Sequence, residues 1–331
     1  MQRSIKTGRN STANYCIITK LFTARIACRI SVAISAFLQL PAFFASCTEE
    51  GTKGIRIHAG NLPQAMKRAT DVFVFNSEEP CLLDSYQQFP AGEMPLFLTS
   101  GPGDKTVVAL SAKDGDLYSR AYTGRLSDLR GESFSLLDDS PSNPFFFGIT
   151  AIERGRSRAA ELDVTPLMSK IRVRSVSCNF DGRLYGTGFF HNDHLFLVNV
   201  VSDFCPLAAE GGRPVSWLNY GGPADSHPYI EADGWGDIGS ARVMKGTVLY
   251  CYPNPKASPP TRLVLEGTVA GTTCYYPIDL DIPRGGMTLS LDITLNRAGT
   301  LDPDSPAAPG TYTVEYSTEP WYESPEVVEE F

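Results

Sequence analysis

The residues able to do chemistry in this chain of 331 are few and scattered. A thiol, Cys47, closes a long uncharged run and precedes Thr48-Glu49-Glu50. A cysteine in such a place is a candidate acceptor for a lipid group. Arg68 follows Lys67 and precedes Ala69. A dibasic pair on an exposed loop suits a trypsin-like protease; on a folded surface it is an ordinary polar pair. His191, Asp193 and His194 offer two imidazoles and a carboxylate to a metal. Positions three apart point in different directions in a strand or turn, so a polar turn before a strand at 195–200 is the expectation. His58 and His227 have no ligand company. Asp138-Asp139 and Asp302/Asp304 lie among Ser and Pro and read as turn formers, with a calcium loop as the alternative. Trp217, Tyr220 and Trp235 sit in a Gly-rich stretch, where rings either stack on sugars or fold back on the core.

Enzyme signatures do not accompany these groups. The sequence has no G-x-S-x-G elbow, no P-loop and no dinucleotide fingerprint. The body cysteines are Cys81, Cys178, Cys205, Cys251 and Cys274, and none is spaced CxxC, which removes the usual zinc and dithiol readings. The expectation is a protein with no catalytic residue, no metal and no cofactor, whose cysteines serve mostly as small apolar residues. Six of the 29 basic residues, Arg3, Lys6, Arg9, Lys20, Arg25 and Arg29, lie before residue 47, where there is no acid. The remainder has 23 basic against 37 acidic side chains, a net charge of −14. So acidic a body argues against nucleic acid as a partner.

The elements that must position these residues begin with the leader. Residues 30–46 carry no charge, follow Arg29 and end in small residues. That is the signal-peptide layout. A membrane-spanning helix is the alternative, but it needs ~20 apolar residues, and Pro41 interrupts this run. Phe44-Ala45-Ser46-Cys47 resembles a lipobox with Phe where Leu is commonest, and Cys47 would carry the lipid. The acidic pair that follows resembles the surface-export signal of Bacteroidetes lipoproteins. These readings make residues 1–46 a lipoprotein signal peptide and the mature chain an outer-membrane lipoprotein at the cell surface.

Beyond the anchor the pattern is all-β. Gly and Pro make 53 of 331 residues, and no stretch sustains helical periodicity. Short strands are expected at 55–58, 71–75, 82–89 and 105–110, at 171–176, and at 247–252, 261–266, 272–280, 287–295 and 311–316. Residues 126–130 suit one helical turn, and 145–149 are too apolar for a free loop. Residues 206–242 read as a long loop region. At 287–295, Leu289, Leu291, Ile293 and Leu295 alternate with Ser290, Asp292 and Thr294, the pattern of a half-buried antiparallel strand. Strands of this length between turns argue for two β-sandwich domains, at 47–185 and 186–331.

Four segments, in order, carry a resemblance. They are Ala69-Thr70-Asp71-Val72-Phe73-Val74-Phe75-Asn76 and Leu167-Met168-Ser169-Lys170-Ile171-Arg172-Val173. Then come Leu249-Tyr250-Cys251-Tyr252-Pro253-Asn254-Pro255 with Thr261-Arg262-Leu263-Val264-Leu265, and Leu295-Asn296-Arg297-Ala298-Gly299 leading to Trp321. The chain resembles the fimbrillin superfamily of Bacteroidetes, the subunits and anchors of type V pili. The resemblance implies two transthyretin-like β-sandwich domains in tandem and a structural, adhesive role in a fimbrium. It implies other fimbrillin subunits as partners, the outer membrane as anchorage, and a host or bacterial surface ligand. It also implies proteolytic removal of a first strand, for which Arg68-Ala69 is in place, and assembly by strand complementation. The strand to be removed would hold Ile55 and Ile57 beside residues 72–75. The donated strand would present Tyr312, Val314 and Tyr316. A surface glycan-binding lipoprotein of a polysaccharide-uptake system is the alternative, resting on the loop aromatics.

The lipobox makes a direct prediction. Cys47→Ala should abolish acylation and release the protein from the membrane fraction. A mutant that still fractionates with membranes and still takes up a palmitate analogue contradicts it.

Overall fold

The computed structural model describes residues 56–58, 68–91, 99–111, 123–153, 159–185, 189–208, 211–255 and 259–321. Cys47, Ile55 and residues 59–67 lie outside them. The first sheet has five antiparallel strands in the order β3-β2-β4-β6-β8. They are β2 (Thr70–Asn76), β3 (Leu83–Phe89), β4 (Lys105–Ser111), β6 (Phe146–Ile152) and β8 (Thr165–Pro166). Both faces of β2 are buried, and the two-residue alternation divides its side chains. Phe73 and Phe75 join Val108 and Leu110 in the main core, while Val72 and Val74 join Val107, Ala109 and Phe146 on the other face. A run that is apolar on both sides is the signature of a strand covered twice. The expected helical turn is α1 (Leu126–Leu129).

The remaining strands form a sandwich with a flanking sheet. One layer is β14-β9-β17-β18: β14 (Thr247–Cys251), β9 (Ser169–Cys178), β17 (Met287–Leu295) and β18 (Tyr312–Pro320). The other is β13-β10-β15-β16: β13 (Glu231–Ile238), β10 (Phe190–Val198), β15 (Arg262–Val269) and β16 (Thr272–Asp279). Leu289, Leu291 and Ile293 of the first layer share one core with Leu195, Leu265 and Tyr276 of the second. Phe190 meets the Tyr276 ring edge-on at 5.1 Å. A three-stranded sheet joins β12 (Arg213–Leu218), β11 (Val200–Cys205) and β5 (Phe134–Ser135). The same core runs on through Phe134 and Phe145 to Phe73. Finally β1 (Arg56–His58) pairs in parallel with β7 (Ala159–Glu161).

Several expectations change. A boundary at residue 185 would separate β9 from both of its partners: it lies between β14 and β17 at the centre of a C-terminal layer. Strand pairing passes from the first sheet to the sandwich between Pro166 and Ser169 instead. The strand at 287–295 is antiparallel only to β18; its ladder with β9 is parallel. That places it inside a layer and explains the burial of Ser290 as well as of its leucines. The segment 206–242 is not all loop, since β12 and β13 lie within it. Its glycines mislead because they serve close packing in one place and a left-handed backbone in another. A Cβ on Gly234 would sit 2.1 Å from the Asn192 carbonyl oxygen, and Gly236 has φ +72. Nor is His191 to His194 a turn: these residues belong to β10 and carry a bulge between Asn192 and His194.

If β9 is the centre of a layer, truncating it should cost what core residues cost. Ile171 has no exposed surface. Ile171→Ala should lower unfolding stability by roughly 2–5 kcal/mol, read from denaturant midpoints. A loss below about 1 kcal/mol would contradict that position.

Candidate processing and strand-exchange site

The residues expected to matter for assembly fall at three places. The first is the entry to β2. Arg68 stands two residues before Thr70, and its side chain is not free: the residue is 7% exposed. Its Nε donates to the Asn143 carbonyl at 3.0 Å, and an Nη donates to the Asp138 carbonyl at 3.2 Å. The guanidinium lies over the Phe145 ring, 4.1 Å from its centroid, the geometry of a cation–π contact. Ala69 is half-buried.

Asp139 holds the loop that supplies those carbonyls. The residue is 4% exposed, and its Oδ1 accepts from the backbone N–H of Ser140 and of Phe145, each at 2.8 Å. Its Oδ2 accepts from the Tyr252 hydroxyl at 3.0 Å, and that hydroxyl also lies 3.1 Å from the Ser135 carbonyl oxygen. Tyr252 follows β14 directly and has no exposed surface. Burial lifts the Asp139 carboxyl to about 7, against the opposing pull of the two N–H groups, the Tyr252 hydroxyl and the Arg68 charge. Burial likewise pushes the Tyr252 hydroxyl well above its usual range, and the charges of Asp139 and Asp203 add to the rise. One buried polar cluster thus joins residue 68, the loop at 138–145 and the strand end at 252.

The second place is β1. Ile57 pairs with Ala160 in the three-residue ladder to β7. It does not lie beside β2 in a ladder, as expected for the removable strand. Both edges of β2 are taken, by β3 over 70–75 and by β4 over 70–76. The apolar run of β4 explains this, because it fits β2 residue for residue and buries both faces.

The third place is β18, an edge strand paired with β17 from Met287↔Pro320 to Leu295↔Tyr312. Tyr312 and Val314 are half-buried, and Tyr316 is 51% exposed. The Tyr312 hydroxyl donates to the Pro277 carbonyl at 2.6 Å, which ties β18 across to the facing layer. The far end of the strand borders a cleft of about 880 Å³. Phe147, Ile149, Phe204, Leu207 and Met287 supply its apolar walls, with Arg284 and Glu319 among its polar ones. Beside this cleft, β8 pairs with only Phe146 and Phe147 of β6.

The other chemical candidates disperse. His191 is exposed and bonds Asp237 at 2.6 Å, while the His194 ring turns to Phe196 at 5.9 Å. Among the described residues no three metal-ligating side chains gather. Asp302 and Asp304 order their own turn, with Asp304 N–H donating to Asp302, and Asp304 also accepts from Arg262 at 2.6 Å. Trp235 is buried and donates to Thr247. Trp217 is half-buried, so Tyr220, 70% exposed, is the one ring of the three presented to solvent. Sequence reasoning missed Asp139 and Tyr252. An Asp-Asp pair beside Ser and Pro reads as a turn, and nothing local marks that one carboxyl turns inward to a tyrosine 113 residues away.

The raised Asp139 carboxyl predicts a pH dependence. In the unfolded chain it ionises near the ordinary aspartate value of 3.8, whereas in the folded chain it holds its proton to about 7. Between these values the unfolded state has fewer protons bound, so stability falls as pH rises, by about 1.4 kcal/mol per pH unit at most. Asp139→Asn keeps an uncharged side chain and should flatten this part of the curve. Denaturation midpoints across about pH 4 to about pH 7 test it. Parallel curves for the two proteins would show that Asp139 is ionised in the fold.

No family model matches the sequence, and no curated protein does. Solved structures do match over almost their whole length. A cell-adhesion candidate from Bacteroides eggerthii aligns with TM-score 0.58 at 20% identity, over 81% of this chain and 95% of that one. A second, from Parabacteroides distasonis, aligns with TM-score 0.55 at 12% identity, over 83% and 99%. The fimbrilin FimA of Porphyromonas gingivalis W83 aligns with TM-score 0.55 at 15% identity, over 82% and 98%. This all-β chain therefore shares its fold with these adhesion and fimbrilin structures.

Proposed function

We propose that the protein is a structural and adhesive subunit of a cell-surface type V fimbrium, built as two transthyretin-like sandwiches in tandem. It is exported as a lipoprotein, acylated at Cys47 and held at the outer membrane. It joins other fimbrial subunits by strand complementation, with Arg68–Ala69 as the processing bond and β18 as the donated strand. The observation that carries this reading is the match to fimbrilin and adhesion structures over 95% or more of their length. Chain geometry supports the finer steps. Residues 56–58, ahead of Arg68, pair with β7 in a three-residue ladder. Next to the sparsely paired outer edge of β6 lies a cleft with apolar walls, the kind of surface on which strand addition takes place. Edge strand β18 has the length and alternation to fill such a cleft. Antibody labelling of intact cells, with analysis of the sheared surface fraction, tests the proposal. The protein should label on the surface and appear with fibres in the sheared material. Confinement to the periplasm would refute it.

A further inference from the structure

In the folded chain, the bond between Arg68 and Ala69 is a poor protease substrate for two separate reasons. A protease of trypsin specificity takes the arginine side chain into a deep pocket and holds the residues flanking the bond in an extended form. Here the guanidinium already has partners: the Asp138 and Asn143 carbonyls and the Phe145 ring. On the other side of the bond, Thr70 and Asp71 are already in β2, paired with β3 on one edge and β4 on the other. Cleavage therefore requires local opening, and its rate follows the population of the opened form.

What holds Arg68 in place is assembled from distant parts of the chain. Its partner carbonyls belong to the loop at 138–145. Asp139 pins that loop by accepting from the N–H groups of Ser140 and Phe145. Asp139 is in turn fixed by Tyr252, which follows β14 of the C-terminal sandwich. We propose that Phe145, Asp139 and Tyr252 form a latch that withholds the Arg68–Ala69 bond from proteases until this part of the chain opens. The inference rests on the reading of that bond as the processing site. It adds an order of events. A chain whose C-terminal strands are not yet in place lacks Tyr252 at the latch and is cut readily. A chain that has completed its fold resists, and is cut only when assembly or a partner loosens the loop at 138–145.

The test is limited trypsin digestion of the purified full-length chain in detergent, followed by mass spectrometry at two sites. Arg183, exposed in the short helix Gly182–Tyr185, is the internal reference. Arg68 should stay uncut over the time in which Arg183 is cut. Tyr252→Phe removes one hydroxyl, and Asp139→Asn weakens the acceptor. Each should speed cleavage at Arg68 about tenfold while leaving Arg183 unchanged, as expected for loss of one buried hydrogen bond. If Asp139→Asn disturbs the whole fold, Arg183 cleavage accelerates too, and Tyr252→Phe decides. Rapid cleavage at Arg68 in the unaltered chain would overturn the latch, and so would undiminished resistance in Tyr252→Phe. Neither result bears on surface location, which the labelling experiment settles separately. A native N-terminus other than Ala69 in protein recovered from fibres would instead remove the processing assignment.

Discussion

The parallel ladder between β9 and β17 is the constraint around which the C-terminal half is arranged. A parallel pair cannot be closed by a tight turn, so the chain must travel far between its two strands. Here it builds β10 to β16 on the way, and four of those strands, β10, β13, β15 and β16, become the facing layer. Ile171, Val173 and Val176 on β9, with Leu289, Leu291 and Ile293 on β17, then form a continuous apolar surface that this layer covers. The outward side of the ladder is tied by charge. Asp292 accepts from both Arg174 and Ser175, and these bonds hold its carboxyl below the usual range, with Ser175 the largest contributor. Because β9 follows β8 after a gap of two residues, the first sheet and the sandwich cannot separate by a long linker. Their shared core, from Phe73 to Leu295, follows from that short connection.

How much of this was legible in the sequence depended on whether a strand's own residues carried its environment. In β2 and β4 the unbroken Val, Phe and Leu runs encode burial on both faces. In β17 and β18 the two-residue alternation encodes the face turned to the core, though in β17 Thr288 and Ser290 on the other face are buried too. β13 carries its information elsewhere. Its Gly234 is needed because the β10 backbone passes where a side chain would lie, so the segment has turn composition inside a sheet. Asn192 reads as a loop residue for a similar reason. It is buried, accepts the Trp235 N–H, and donates to the carbonyls of His194 and Glu266, which stabilises the bulge. Domain boundaries were the least legible feature, because β9 looks like the end of one domain and pairs as the centre of the next. Nothing in a single strand states its partners.

The cysteines follow the same logic. Cys178, Cys205, Cys251 and Cys274 are buried and unpaired. Burial pushes the thiols of Cys178 and Cys251 up to about 12. Such thiols present almost no thiolate at neutral pH and resist oxidation and exchange. The four buried cysteines are thus protected by packing rather than by pairing. This requires the shared core to form promptly, and it ties the chemical integrity of the protein to its folding.

The proposed strand exchange would meet a limit that the ladders themselves express. Each ladder residue contributes backbone bonds and a cross-strand side-chain pair, of order 0.2–1 kcal/mol for the pair. The β1–β7 ladder has three residue pairs, and the β17–β18 ladder has nine. On these terms the N-terminal segment is the easier of the two to release. β18 also carries the Tyr312 bond to Pro277, and Trp321 just beyond it packs against Tyr250, so under that proposal it would leave β17 only if a new groove repaid the whole ladder. An exchange of this kind proceeds when the receiving site is already open. Under the proposed complementation, the nine-pair ladder of β18, not the three-pair ladder of β1, sets the larger cost of the exchange.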